Sequence, residues 1–189
     1  MQKALILIDY INEICHIDGK FGSCAKMITE ENVVVKVNNV LTKMRQDNCL
    51  VIWIIVAFNK NYTDANTVSP IFNFAKNVEA LQRGTWGTEL LSGLDYCENE
   101  LIIYKNMVNP FYNTNLEHIL RAHNVDELYI AGVSTAMAVQ SCTRDAHDRG
   151  YKVNVIGDCC ANGSRELHNA SLETLSAMAN IISSEKIIN

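Results

Sequence analysis

Only two prolines and nine glycines occur among the 189 residues, and no Ser/Gly-rich tract interrupts the chain. Nothing therefore marks a linker, and the length suits one domain with a full core, over residues 1–189. No apolar run approaches the 18 or so residues that would cross a bilayer, and no basic lead with an apolar run and cleavage site opens the chain. The expectation is a cytoplasmic protein with no membrane partner. Clustered cations are missing too: 16 Lys and Arg stand against 21 Asp and Glu, a net charge of -5. Phosphate neutralisation needs such clusters, so nucleic acid is not an expected partner. Cysteine is present seven times, at positions 15, 24, 49, 97, 142, 159 and 160, an odd number without a Cys-x-x-Cys pair. That pattern reads as reduced thiols, not as a disulfide framework or a zinc site. Histidine is absent from Ile17 to Glu117, and the five present form no His-x-x-His or His-x-x-x-His pair. Neither a metal nor an organic cofactor is expected.

What is there is an alternation of two periodicities. Short apolar runs at Ala4–Asp9, Leu50–Ala57, Leu101–Tyr104, Leu128–Gly132, Lys152–Asp158 and Asn180–Ser183 read as strands, most of them apolar on both faces. Helical spacing fills the gaps: Asn32–Asp47 with Val33, Val37, Val40, Leu41 and Met44, Thr114–His123 behind a Thr N-cap, and Arg165–Met178. Strand–helix alternation of this kind predicts an α/β fold, a three-layer α/β/α arrangement around a mostly parallel, Rossmann-like sheet of about six strands.

The most informative stretch is Gly132-Val133-Ser134-Thr135-Ala136-Met137-Ala138-Val139. It follows the strand-like Glu127–Ala131 and leads into a helix through Asp145–Gly150, with Thr135 as candidate N-cap and residue 138 in the first turn. A sharp strand-to-helix turn at the carboxyl end of a sheet is where open α/β folds bind ligands. Two other strand ends carry charge. Asp9 closes the first aliphatic strand, where a carboxylate is costly to bury unpaired; it reads either as a cap for the next loop or as a general base. Lys105 closes a third, either as a snorkelling side chain or as a cation that stabilises a thiolate.

Gly-Val-x-Thr at 132–135 with Val139, followed by Thr143-Arg144-Asp145-Ala146, closely resembles the isochorismatase-like cysteine hydrolases, a family of small amidases that also includes the isochorismatases. Two further blocks resemble the family in order: Ala4–Asp9 with Tyr10–Glu13, and Leu101–Lys105 with Asn109–Leu116. The likeness runs from Lys3 to about Ile182 and is weakest between Phe58 and Ala80. It implies that Asp9 is the base, Lys105 the thiolate-stabilising cation, and residue 138 the nucleophile position. The Val133-Ser134 peptide would be cis, and the N–H groups of Ser134 and residue 138 would form an oxyanion hole. By resemblance the Asn109-Pro110-Phe111 loop lines a substrate pocket. Tyr10, Asn109, Phe111 and Trp86 are the candidate wall residues, though Trp86 and Phe111 could equally be core. A homo-oligomer and a small amide-type or ureido substrate are also implied.

Position 138 departs from the amidase pattern, because Ala can act neither as nucleophile nor as acid or base. Three accounts stand side by side: an engineered Cys-to-Ala replacement, a natural enzyme without the cysteine, such as an isochorismatase-type vinyl-ether hydrolase, and a catalytically dead binding protein. Cys142 is no substitute, since it lies roughly 6 Å along the helix on the core-facing side. Nicotinamidases of the family carry metal-binding Asp and His after the second strand. Here that segment is Phe58-Asn59-Lys60-Asn61-Tyr62, so nicotinamide is a poor candidate substrate. Ile11 replaces the family's usual Gln and leaves the substrate class open.

Overall fold

Six apolar runs line up into one sheet in the computed structural model, which describes residues 2–189. They are β1 (Gln2–Ile8), β2 (Leu50–Val56), β3 (Leu101–Lys105), β4 (Val125–Gly132), β5 (Lys152–Ile156) and β6 (Asn180–Ile182), in the order β3-β2-β1-β4-β5-β6. Every pairing is parallel, so the sheet expected to be mostly parallel is wholly so. The reason is local: each strand returns to the same end through a segment containing a helix, which parallel pairing requires. Central β1 is buried without a break from Ala4 to Ile8, which is why it reads as a continuous aliphatic run and not as an alternating one.

The helices are α1 (Asn12–Cys15), α2 (Ala25–Glu30), α3 (Val33–Gln46), α4 (Pro70–Asn77), α5 (Leu116–Ala122), α6 (Gln140–Asp148), α7 (Arg165–Leu175) and α8 (Glu185–Ile188). On α3 the five residues predicted from their spacing, Val33, Val37, Val40, Leu41 and Met44, are all buried against the sheet. Three expectations are corrected. The N-cap position of α5 is Asn115, not Thr114, whose hydroxyl instead accepts from the Leu116 N–H at 3.2 Å in a turn. α7 stops at Leu175 because both Met178 and Ala179 N–H fold back onto its carbonyl, turning the chain into β6. α4 occupies the segment where no helix was predicted.

Strands β1, β2 and β3 step one way across the sheet and β4, β5 and β6 the other. Right-handed connections then send the strand-linking helices of the two halves to opposite faces and open a crevice between the ends of β1 and β4. Gly132 closes β4 there. A Cβ on it would lie 2.5 Å from the Ile8 carbonyl oxygen and 2.7 Å from the Ile8 Cβ, so the close approach of the two strands requires glycine. Among the described residues no helix is long and apolar enough to cross a membrane.

Candidate active site

At that crevice the chain leaves β1 through Asp9, a non-glycine residue in the left-handed region with φ 57°. The turn directs the Asp9 N–H to the Ile54 carbonyl of β2 at 2.8 Å and lays the carboxylate across the end of the same strand. One carboxylate oxygen accepts from the Val56 N–H at 2.7 Å; the other meets the Lys105 ammonium at 2.8 Å. Lys105, last residue of β3, also donates to the Met107 carbonyl at 3.1 Å. Both side chains are almost fully buried. Burial pushes the Asp9 carboxyl above the ordinary aspartate value of 3.8, against the opposing pull of Lys105 and of the Val56 N–H.

The third segment enters from β4. The Val133 N–H donates to the Ile8 carbonyl at 2.9 Å, the Val133-Ser134 peptide is cis, and Thr135–Val139 form a five-residue π turn that runs into α6. Ser134, not Thr135, is the N-cap residue, and its carbonyl accepts from both Met137 and Val139 N–H. Thr135 is instead tied inward: its N–H and hydroxyl both donate to the Ala161 carbonyl, and its hydroxyl oxygen lies 2.8 Å from His168 Nδ1. Single π turns of this kind occur often at functional sites. Ala138 projects from this turn and is buried.

Asp9, Lys105, Val133, Ser134 and Ala138 all line one cavity of about 260 Å³. The rest of its wall is mostly apolar, with Ile14, Phe21, Ile71, Phe72, Leu81 and Val108 prominent. A larger groove of about 890 Å³, bordered by α2, α3 and Leu91–Ser92, lies apart from these groups and contains neither Asp9 nor Lys105.

None of the four predicted wall residues lines the 260 Å³ cavity. Trp86 is 46% exposed and packs edge-on against His16. Phe111 is core, stacked on Tyr151 with Arg149 over its face. Asn109 donates to Asp145 at 2.6 Å, tying its loop to α6. Tyr10 follows Asp9 but points the other way, into the core, where its hydroxyl donates to the Cys159 carbonyl. The walls come instead from the segment around α1 and from α4, which sequence reasoning missed. Ser69-Pro70 ahead of Ile71 and Phe72 is the signal that could have found α4, since Pro favours the first helical turn.

Glu13 was also missed: its buried carboxylate accepts from the Lys20 and Leu81 N–H groups at 2.8 and 3.1 Å, holding Leu81 in the wall. Cys24 also borders the cavity, but burial pushes its thiol up to about 11, so it is protonated at neutral pH. Cys142 is fully buried in the core, its thiol raised by burial. Among the described residues no three His, Cys, Asp or Glu side chains gather as a metal ion would require.

The sequence pattern of the isochorismatase domain matches residues 3–186. A probable inactive nicotinamidase of Arabidopsis thaliana is 29% identical over 173 residues, 90% of this chain and 86% of that protein. A ureidoacrylate amidohydrolase of Acinetobacter baylyi is 25% identical over 185 residues, 90% of this chain and 76% of that protein. The crystal structure of a cysteine hydrolase from Pseudomonas syringae superposes with a TM-score of 0.87 at 21% identity, covering 99% of this chain and 91% of that one. At that identity the superposition speaks for the fold.

Proposed function

Because the chain belongs to the isochorismatase domain family, we propose that it is a C–N hydrolase of the thioester type in which Ala138 occupies the position of the nucleophilic cysteine. The observation that carries this reading is the buried Asp9–Lys105 pair, 2.8 Å apart, opening on the same small cavity as Ala138. A carboxylate held between an ammonium and a backbone N–H is suited to take a proton from a thiol, and the ammonium is suited to favour the thiolate that results. The amidohydrolase among its relatives supports the same reaction class.

Written for cysteine at 138, the reaction begins when Asp9 takes the thiol proton and the sulfur attacks the amide carbonyl, forming a C–S bond. The N–H groups of Ser134, which caps the turn, and of residue 138, within it, hold the oxyanion. The C–N bond breaks, the proton on Asp9 passes to the leaving nitrogen, and ammonia departs. Asp9 then draws a proton from water, hydroxide adds to the thioester, and the C–S bond breaks to regenerate thiol and release the acid. With Ala138 the groups that orient substrate remain and the atom that forms the bond is missing.

The vinyl-ether reading asks for cations that receive two carboxylates. Arg83 stacks over the Tyr104 ring at 3.9 Å and does not line the cavity, whose one cation among the described residues, Lys105, is already paired with Asp9. The reading is tested by making Ala138→Cys and assaying ammonia release from amides, ureides and carbamoyl compounds, beside the Ala138 protein. Release by the cysteine variant alone is the expected outcome. Pyruvate release from isochorismate by the Ala138 protein would replace the reading with the ether hydrolase, and a ligand bound unchanged by either form would replace it with a binding protein.

A further inference from the structure

Resting on that reading, we infer that the site selects a small uncharged amide whose acyl group is plain hydrocarbon, and rejects amides bearing a carboxylate. The cavity holds one positive and one negative side chain, and these neutralise each other. The Lys105 ammonium already contacts an Asp9 oxygen at 2.8 Å and the Met107 carbonyl at 3.1 Å, and the other Asp9 oxygen takes the Val56 N–H. No second cation lines the cavity among the described residues. Three basic residues of neighbouring segments are engaged outside it. Lys20 donates to the Val78 and Glu79 carbonyls, Arg83 stacks on Tyr104, and His16 packs against Trp86.

The remaining polar side chains of the lining, Ser23 and Ser134, carry neutral hydroxyls. A carboxylate entering here would lose its water and find no ionic partner, which is among the most costly burials a site can impose. A heteroaromatic ring nitrogen directed at the side chains of Ile71, Phe72 or Val108 would likewise find no hydrogen-bond donor on them. The volume points the same way. About 260 Å³ falls just under the roughly 300–1,000 Å³ usual for small-molecule pockets, so the acyl group has few carbons. Branched aliphatic and phenyl walls reward each carbon that fits, with discrimination of roughly 10- to 200-fold per methylene.

The experiment compares isobutyramide, nicotinamide and succinamate in two assays. In the first, the Ala138→Cys protein is assayed for ammonia release. In the second, the Ala138 protein is titrated by ligand-observed NMR, which needs no turnover. The expected result is kcat/KM for isobutyramide at least about 100-fold above that for succinamate, with saturable binding of isobutyramide alone. Adding Ile71→Arg to the cysteine variant is expected to shift that ratio toward succinamate by ten-fold or more, because it supplies the missing cation. Turnover of succinamate or nicotinamide as well as isobutyramide overturns the inference while leaving the amidohydrolase reading intact. If no amide is turned over but NMR shows isobutyramide bound and succinamate excluded, the hydrolytic reading falls and the selectivity stands. Equal binding of all three, or none, overturns the selectivity as well.

Discussion

Asp9 combines a left-handed backbone, burial and an ion pair in one residue. Its pKa has a consequence for rate with a definite sign. Burial raises the carboxyl above 3.8, so on acidification it takes up its proton earlier than an exposed aspartate does. A base must be ionised to act, so in the Ala138→Cys protein kcat/KM should fall on the acid side with a midpoint above pH 3.8. Asp9→Asn should lower the rate about 10²- to 10⁴-fold and flatten that limb. A pH profile of kcat/KM checks both, and an acid limb at or below 3.8 would count against Asp9 as the base. Asp9 and Lys105 were legible in the sequence because a charge that closes an aliphatic strand is conspicuous. The cavity walls were not, because an aromatic residue satisfies core and pocket equally well. Phe111 found its partner in Tyr151 and Trp86 in His16, and neither contact leaves a trace in local spacing.

Strands and helices were read most reliably where burial imposes a single periodicity, as on β1 and α3. The π turn was not legible as such. The small residues of 132–138 announce a helix start, but the widened turn arises because the Ser134 carbonyl accepts from Val139 as well as Met137. The element-level dependence that can be tested is the contact of β4 with β1 at Gly132. In Gly132→Ala the new Cβ would collide with the Ile8 carbonyl oxygen and Cβ, both backbone-bound atoms that cannot swing aside. The expected cost is about 1–3 kcal/mol in urea denaturation, as for other overpacked sites. A loss of turnover in the Ala138→Cys background should accompany it, because Val133 and Ser134 leave from this point. An unchanged denaturation midpoint would show that the strands are free to separate there.

Taken whole, the molecule has β1 at its centre with both halves of the chain wound outward from it. Both halves share this strand, so they should unfold together as one domain. Trp53 is buried and bonded to Glu100, whereas Trp86 is already half exposed, so the larger change of tryptophan environment on unfolding is that of Trp53 on β2. Urea midpoints from emission and from far-ultraviolet circular dichroism are expected to coincide, as a two-state transition requires. Two separated midpoints would divide the chain into independent units. The α/β class was readable at this scale from alternation alone, whereas the complete parallelism depended on every connection carrying a helix. The central strand also gives the Asp9–Lys105 pair a second occupation. Asp9 belongs to the end of β1, Val56 to β2, and Lys105 to β3, an edge strand paired on one side only. One carboxylate grips the amide of the second strand and the ammonium of the third, so the groups that would move a proton also suture the margin of the sheet. A neutral residue at position 9 would open that seam as well as remove the proposed base. A lost rate in such a variant is therefore chemical only if the amides of Leu101–Lys105 resist hydrogen exchange as before.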